Sequence, residues 1–186
     1  MIDLHFGTIN ARGLKKFKHN DGSISLDLAN IIRDVNKRKI AVTGVQETWL
    51  GEKEYLQKED GYVFFCVNED NNTRHGTGIL ISQLYKPTFR RISARVCSAS
   101  FKHDNKQFLF ISGYAPHEAL ANANTDLRKD FYNDLQRALL QKTSNSIVIL
   151  ALDANAKTSY DPEIHPQMSS ALSPKKTAPP TKTDIV

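Results

Sequence analysis

The chain has 186 residues, 40% of them hydrophobic, with 25 Lys+Arg against 20 Asp+Glu and a formal charge of +5. That length and apolar content suit one domain with a real core, and the positive balance suits a polyanionic partner such as nucleic acid. No apolar run approaches the length of a membrane span, and the N-terminus lacks the charged-then-apolar form of a signal peptide. A membrane partner is therefore set aside, and an intracellular chain, nuclear or cytoplasmic, is expected.

Cys66 and Cys97 stand in strand-like patterns with no Cys-x-x-Cys spacing. That argues against a zinc site or a disulfide framework and for a pair of buried thiols in a reducing compartment.

In chain order, residues 2–9 read as a first strand and 12–24 as a basic, Gly-containing loop. Leu28, Ile31, Ile32 and Val35 recur at helical spacing, which predicts a helix over about 26–38 with Ser25 as its N-cap. Lys37-Arg38-Lys39 close that helix and complement its dipole. Strand 40–45 follows at once, so strand, helix and strand form a βα unit.

Residues 61–67 form another strand and Asn68–Thr73 a polar turn. Next come 76–82, then two alternating stretches at 92–101 and 107–114, joined by the short turn His103-Asp-Asn-Lys106. Strands in succession without helices predict an antiparallel meander. A helix over about 126–141 carries Leu127, Phe131, Leu135 and Ala138 on one face. It leads into Ile147-Val-Ile-Leu-Ala-Leu152, a run that reads as a strand buried on both faces.

After Ala156 the character changes: residues 157–186 hold five of the seven prolines among Ser, Thr and Lys. This is read as a disordered tail, 158–186, behind a domain spanning 1–157. The fold class expected is α/β: a two-sheet β-sandwich flanked by helices, in four layers α/β/β/α, with its last strands missing.

Three strands deliver polar groups at their C-terminal ends, where sites form in open α/β sheets. Asn10 ends the first, Glu47 the second, and Asp153 with Asn155 the last. Lying side by side, these strands would bring the four residues into one small volume. Two carboxylates among carboxamides are hard oxygen ligands, suited to Mg²⁺ or Mn²⁺ rather than zinc.

The order of motifs is Thr8-Ile-Asn10-Ala-Arg12, Gln46-Glu47-Thr48-Trp49, Arg74-His-Gly76-Thr-Gly78, Ser112-Gly-Tyr114-Ala-Pro116 and Leu152-Asp153-Ala-Asn155-Ala156. Over roughly residues 3–157 it resembles the endonuclease/exonuclease/phosphatase superfamily. Within that superfamily it looks most like the apurinic-type endonuclease domains of LINE-type non-LTR retrotransposons, which cut DNA with a divalent metal.

The resemblance implies roles. Glu47 would be the principal metal carboxylate, oriented by Asn10. Tyr114 would lie near the attacked phosphate, Asp153 would orient or deprotonate the attacking water, and Asn155 would hold the scissile phosphate. Trp49 is expected to pack beneath the site, His75 to be a solvated turn histidine, and Arg12 to touch a DNA phosphate or face solvent.

The chain also departs from the family pattern. Leu152-Asp-Ala-Asn155 stands where the family has Gly-Asp-Phe-Asn, and His117 stands where the abasic-site enzymes carry Asn. The family's closing Asp-His pair has no counterpart in 158–186, and His165 is not assigned that role. A metal-dependent DNA endonuclease by ancestry, with weak or no turnover and exposed sheet edges, is the leading expectation. The alternatives are a non-catalytic remnant that binds nucleic acid and a phosphatase of small phosphoesters or phosphoinositides. DNA is the expected partner, and no protein partner is expected.

Overall fold

In a computed structural model, residues 4–21, 24–69, 75–117 and 125–155 are described. The chain divides into two units, residues 1–155 and 156–186. The second unit, and with it the expected tail and His165, lies outside the described residues, as does Arg74.

Among the described residues eleven strands and two α-helices follow in order: β1 His5–Asn10, β2 Lys16–Lys18, β3 Ile24–Leu26, α1 Ala29–Lys37, β4 Ile40–Gln46, β5 Glu54–Glu59 and β6 Tyr62–Val67. Then come β7 Thr77–Ser82, β8 Thr88–Arg91, β9 Val96–His103, β10 Lys106–Tyr114, α2 Thr125–Leu139 and β11 Ser146–Asp153.

One sheet has the order β1-β4-β7-β6-β5, the other β11-β10-β9-β8, and β2-β3 form a separate ribbon. Only β1 with β4 and β10 with β11 pair in parallel among the described strands. The expected meander is therefore two, one per sheet: β5-β6-β7 in the first and β8-β9-β10 in the second.

Period-2 alternation explains the layering. Val63, Phe65 and Val67 of β6, Ile79 and Ile81 of β7, and Phe108 and Phe110 of β10 face one another between the sheets. Their neighbours Phe64, Cys66 and Leu80 face outward onto Leu28, Ile32 and Val35 of the α1 region. Leu109 and Ile111 face outward onto Phe131, Leu135 and Ala138 of α2. The layers are thus α1, first sheet, second sheet, α2, the expected α/β/β/α sandwich. Each fully buried Leu, Ile or Phe contributes about 1.5–3 kcal/mol, so both sheets are read as core on each face. Both cysteines are buried free thiols, and burial pushes each well above the usual thiol range.

Several sequence expectations are corrected. Ser25 pairs with Phe17 in the ribbon, so α1 starts later, with Leu28 at the N-cap and no side-chain cap bond. Apolar Leu28 takes that place because burying it in the core outweighs a cap bond, which is worth about 1 kcal/mol. The supposed loop 12–24 contains β2. Strands β5 and β8 were not foreseen, although Asp60-Gly61, both at positive φ, is a strong hairpin signal for β5 and β6. The turn at Asp104-Asn105, also at positive φ, closes the β9–β10 hairpin as expected.

The largest correction concerns β11. Among the described strands it does not pair with β1 or β4 but stands at the edge of the other sheet. Nor is it buried on both faces: Ile147 is 41% exposed and Leu150 is 49% exposed. β1, at the edge of the first sheet, leaves Ile9 38% exposed. The opposite edges are charged, with Glu54, Lys58 and Glu59 on β5 and Arg90 and Arg91 on β8. Charges of that kind protect a free edge, and β11 carries none before Asp153.

Candidate active site

The parallel pairing of β1 with β4 ends with Asn10 opposite Gln46. The chain continues alongside for another turn, with Ala11 N–H donating to Gln46 O, Gly13 N–H to Glu47 O and Leu14 N–H to Thr48 O. Asn10 and Glu47 are thereby held side by side. In the second sheet, β10 pairs with β11 in parallel up to Tyr114 opposite Asp153. The two sheets meet face to face at these strand ends.

Asn10 Nδ2 donates to Glu47 Oε1 at 2.8 Å and to Asp153 Oδ2 at 3.0 Å. The same Glu47 oxygen accepts from the Tyr114 hydroxyl at 3.3 Å. Asp153 Oδ1 accepts the Asn155 backbone N–H at 3.1 Å, a local turn that fixes the carboxylate. Asn155 Nδ2 donates to Ala115 O at 2.7 Å. Of the five residues singled out from sequence, four are joined by side-chain hydrogen bonds, and Asn155 joins them through its N–H on Asp153 and a side-chain bond to Tyr114.

The backbone here is unusual. Arg12, Glu47, Trp49 and Asn155 have φ of 48°, 55°, 56° and 44°. Non-glycine residues in that region each cost on the order of 1 kcal/mol, a cost that functional sites often carry. Packing fixes Glu47 from both sides: Gly13 N–H holds its carbonyl, and Thr48, fully buried, follows it.

Burial raises the Tyr114 hydroxyl above its usual range, the Asn155 hydrogen bond works the other way, and the Glu47 and Asp153 charges add to the rise. Tyr114 is therefore a protonated donor at neutral pH. His75, whose ring centre lies 6.1 Å from that of Tyr114, is lowered by burial and by the Arg95 charge, so it is neutral at pH 7. It is not the solvated turn histidine expected: its Nδ1 is buried with no hydrogen-bond partner among the described residues. Trp49 is 37% exposed and lies against Gly13, at the rim of the site rather than beneath it.

Beneath these residues lies a polar strut that sequence reasoning missed. Gln46, 2% exposed, accepts from Thr8 Oγ1 at 2.9 Å and donates to Ser112 Oγ and Ala151 O, each at 3.2 Å. Thr77 Oγ1 and Ser112 Oγ are 2.7 Å apart. One buried carboxamide links four strands, and Ser112 adds β7 through Thr77. Gln46 directly precedes Glu47, and Ala151 stands two residues before Asp153, so the strut sets the sheet spacing that the site needs. Arg95 was also missed; its guanidinium lies 5.9 Å from the Tyr114 ring centre and donates to Tyr114 O at 3.5 Å. Gln46 stands in the Gln46-Glu47-Thr48-Trp49 motif but its bonding is not legible there, and no local pattern marks Arg95, because the partners of both are distant in sequence.

Among the described residues, no cluster of three His, Cys, Asp or Glu side chains is placed to hold a metal ion. Glu47 and Asp153 nevertheless share one neutral donor, and neither has an ion-pair partner among the described residues. Two hard carboxylates so placed fit a divalent cation with oxygen preference.

No protein-family model matches the sequence, and no curated protein matches it. Solved structures do resemble the fold. The endonuclease domain of TRAS1, a telomere-specific non-LTR retrotransposon, matches at 14% identity and a TM-score of 0.51, covering 82% of this chain and 59% of its own. An AP endonuclease from Leishmania major matches at 16% and 0.54, covering 68% and 49%. An endonuclease/exonuclease/phosphatase family protein from Leptotrichia buccalis matches at 14% and 0.55, covering 90% and 72%. The chain spans about half to three fifths of the length of the first two. At these identities the likeness establishes the fold.

Proposed function

We propose that this chain, which has the endonuclease/exonuclease/phosphatase fold, is a metal-dependent phosphodiesterase acting on DNA, of the retrotransposon endonuclease type. The observation that carries the reading is the Glu47–Asn10–Asp153 bridge between two sheets, with the Tyr114 hydroxyl on the same Glu47 oxygen. The order of the five motifs and the fold likeness to the TRAS1 endonuclease domain support the retrotransposon type. The charge of +5 supports a polyanionic substrate.

Phosphodiester hydrolysis needs an in-line water, a base for it, and stabilisation of charge on the phosphoryl oxygens. Glu47, with Asn10 beside it, would hold Mg²⁺ or Mn²⁺, which supplies Lewis-acid stabilisation of those oxygens when bound. Asp153 keeps one carboxylate oxygen on Asn10 and the other on the Asn155 N–H, so it is fixed in direction as acceptor for the water proton. Tyr114, kept protonated by burial, donates to Glu47 Oε1 here and would turn that proton to the phosphate once a cation takes the carboxylate. Asn155, whose amide is committed as donor to Ala115 O and is also hydrogen-bonded to Tyr114, would turn the latter hydrogen to a phosphate oxygen.

That commitment favours a second reading, binding of nucleic acid without turnover. Supercoiled plasmid incubated with the purified chain and Mg²⁺ or Mn²⁺, beside EDTA and Glu47→Ala, separates the two. Metal-dependent nicking that vanishes in Glu47→Ala is the expected result. Folded protein that shifts DNA in a gel yet never nicks it would retire the enzyme reading and leave the binding one. Hydrolysis of a soluble phosphoester but not of plasmid would move the assignment to a phosphatase.

A further inference from the structure

The ribbon of β2 and β3 is absorbed by nothing above. It leaves the rim of the site directly: Gly13 and Leu14 are still bonded to Glu47 and Thr48, and β2 begins at Lys16. It is anchored at both strands. Lys16 Nζ donates to Leu50 O from β2, and Gln57 clamps Leu26 of β3 through both amide groups, accepting from its N–H at 2.8 Å and donating to its carbonyl at 3.0 Å. Asp27 N–H closes the base on Lys15 O at 2.9 Å.

A ribbon so fixed presents an outer surface the fold does not use. Phe17 is 41% exposed, and the Lys15 ammonium sits 5.0 Å from its ring centre. From Ala11 to Asn20 the sequence has Arg12, Lys15, Lys16 and Lys18 and no carboxylate; Asp21 and Asp27 come only later. Trp49, exposed beside Gly13, continues the same rim toward Glu47. Cations interleaved with exposed aromatic rings on one rigid rim match a polymer that is anionic and has flat apolar surface.

We propose that the β2–β3 ribbon is a duplex-DNA grip: Lys15 and Lys18 neutralise backbone phosphates beside the cleavage position, and Phe17 seats against the sugar and base edges. The proposal rests on the reading of the site as one for DNA. From Gly13, paired to Glu47, to Phe17 is at most about 13 Å of extended chain, which places the grip within about four base pairs of the scissile phosphate. A two-stranded ribbon is also an element that a DNA groove admits.

The test is duplex binding by fluorescence anisotropy across a salt series with the full chain, its Lys15→Ala/Lys18→Ala double variant, Phe17→Ala and Phe17→Trp. These side chains are exposed, and circular dichroism checks that each variant folds. The double variant is expected to lower the slope of log K against log salt by about 1.8, two phosphates at about 0.9 each. Phe17→Ala is expected to weaken binding about tenfold with the slope unchanged, and Phe17→Trp to restore affinity with fluorescence quenched by DNA.

Duplex binding by the parent chain that all variants share within twofold would overturn the ribbon while sparing the site. Preference for single strands, lost in Phe17→Ala, would overturn the duplex assignment. Absence of any DNA binding by the parent chain would overturn both.

Discussion

Glu47 and Asp153 stand at the ends of strands in different sheets, yet both carboxylates accept from one atom, Asn10 Nδ2, at 2.8 and 3.0 Å. A single exposed carboxamide therefore spans the sandwich at its rim. The electrostatic consequence is direct: a neutral donor holds two like charges together, and a divalent cation is the natural complement.

Asn10→Ala is expected to change folding stability by less than about 0.5 kcal/mol, because the side chain is exposed. It should weaken Mn²⁺ binding, and any nicking, by about 10–100-fold, as loss of an orienting partner does. Calorimetric titration of Mn²⁺ beside thermal melts reads both. Equal Mn²⁺ affinity in the two proteins would remove Asn10 from the site.

The Gln46 strut yields a stability prediction. Gln46→Leu keeps the volume but takes the carboxamide away from Thr8 Oγ1 and Ala151 O and leaves Ser112 Oγ with Thr77. The expected cost is about 2–4 kcal/mol, a fall in Tm of several degrees. Gly44→Ala attacks the same layer sterically, because a Cβ there would lie 2.6 Å from Ala151 Cβ. Its cost should be about 1–3 kcal/mol. The double variant should cost less than the sum, since both disturb one sheet contact. Strict additivity in denaturant melts would show that the strut and the glycine act apart.

His75 predicts a pH dependence. Burial and Arg95 lower its native pKa below the ordinary 6.5, so between the two values the unfolded chain binds more protons. Stability therefore falls as pH drops through 6.5 and stops falling below the native pKa; above 6.5 the penalty is absent. His75→Gln should flatten this limb of the melting profile between about pH 5 and 7, because glutamine does not titrate. An unchanged slope in that variant would assign the limb to other groups.

The uncharged edge predicts self-association. Ile147 and Leu150 are exposed on β11, while β5 and β8 at the far side carry charges. Leu150→Lys, alone or with Ile147→Lys, should shift the chain toward monomer in light scattering with the far-UV spectrum retained. Aggregation that persists in the double lysine variant would locate the adhesive surface elsewhere.

Much of the fold was written locally. Apolar runs at 61–67 and 76–82 and alternation at 92–101 and 107–114 predicted β6, β7, β9 and β10, and the spacing of Phe131, Leu135 and Ala138 predicted the buried face of α2. Those signals are legible because each residue's burial is repeated at a fixed period along the chain. β5 was missed because an edge strand of mostly Glu, Gln and Lys, with no residue fully buried, does not show that period in its apolar residues. The ribbon was missed because its strands are three residues long.

At the site, the sequence by itself determined which groups end which strands: Asn10 ending β1, Glu47 after β4, and Asp153 ending β11. Tertiary structure alone decided that β11 belongs to the opposite sheet, so that the site forms across the sandwich rather than along one edge. It alone chose Gln46, Ser112 and Ala151 to join the layers and turned His75 inward beside Tyr114. Strand endings follow from local hydrophobic pattern, whereas sheet membership and cross-sheet bonds depend on contacts up to 143 positions apart in sequence, which no local period encodes.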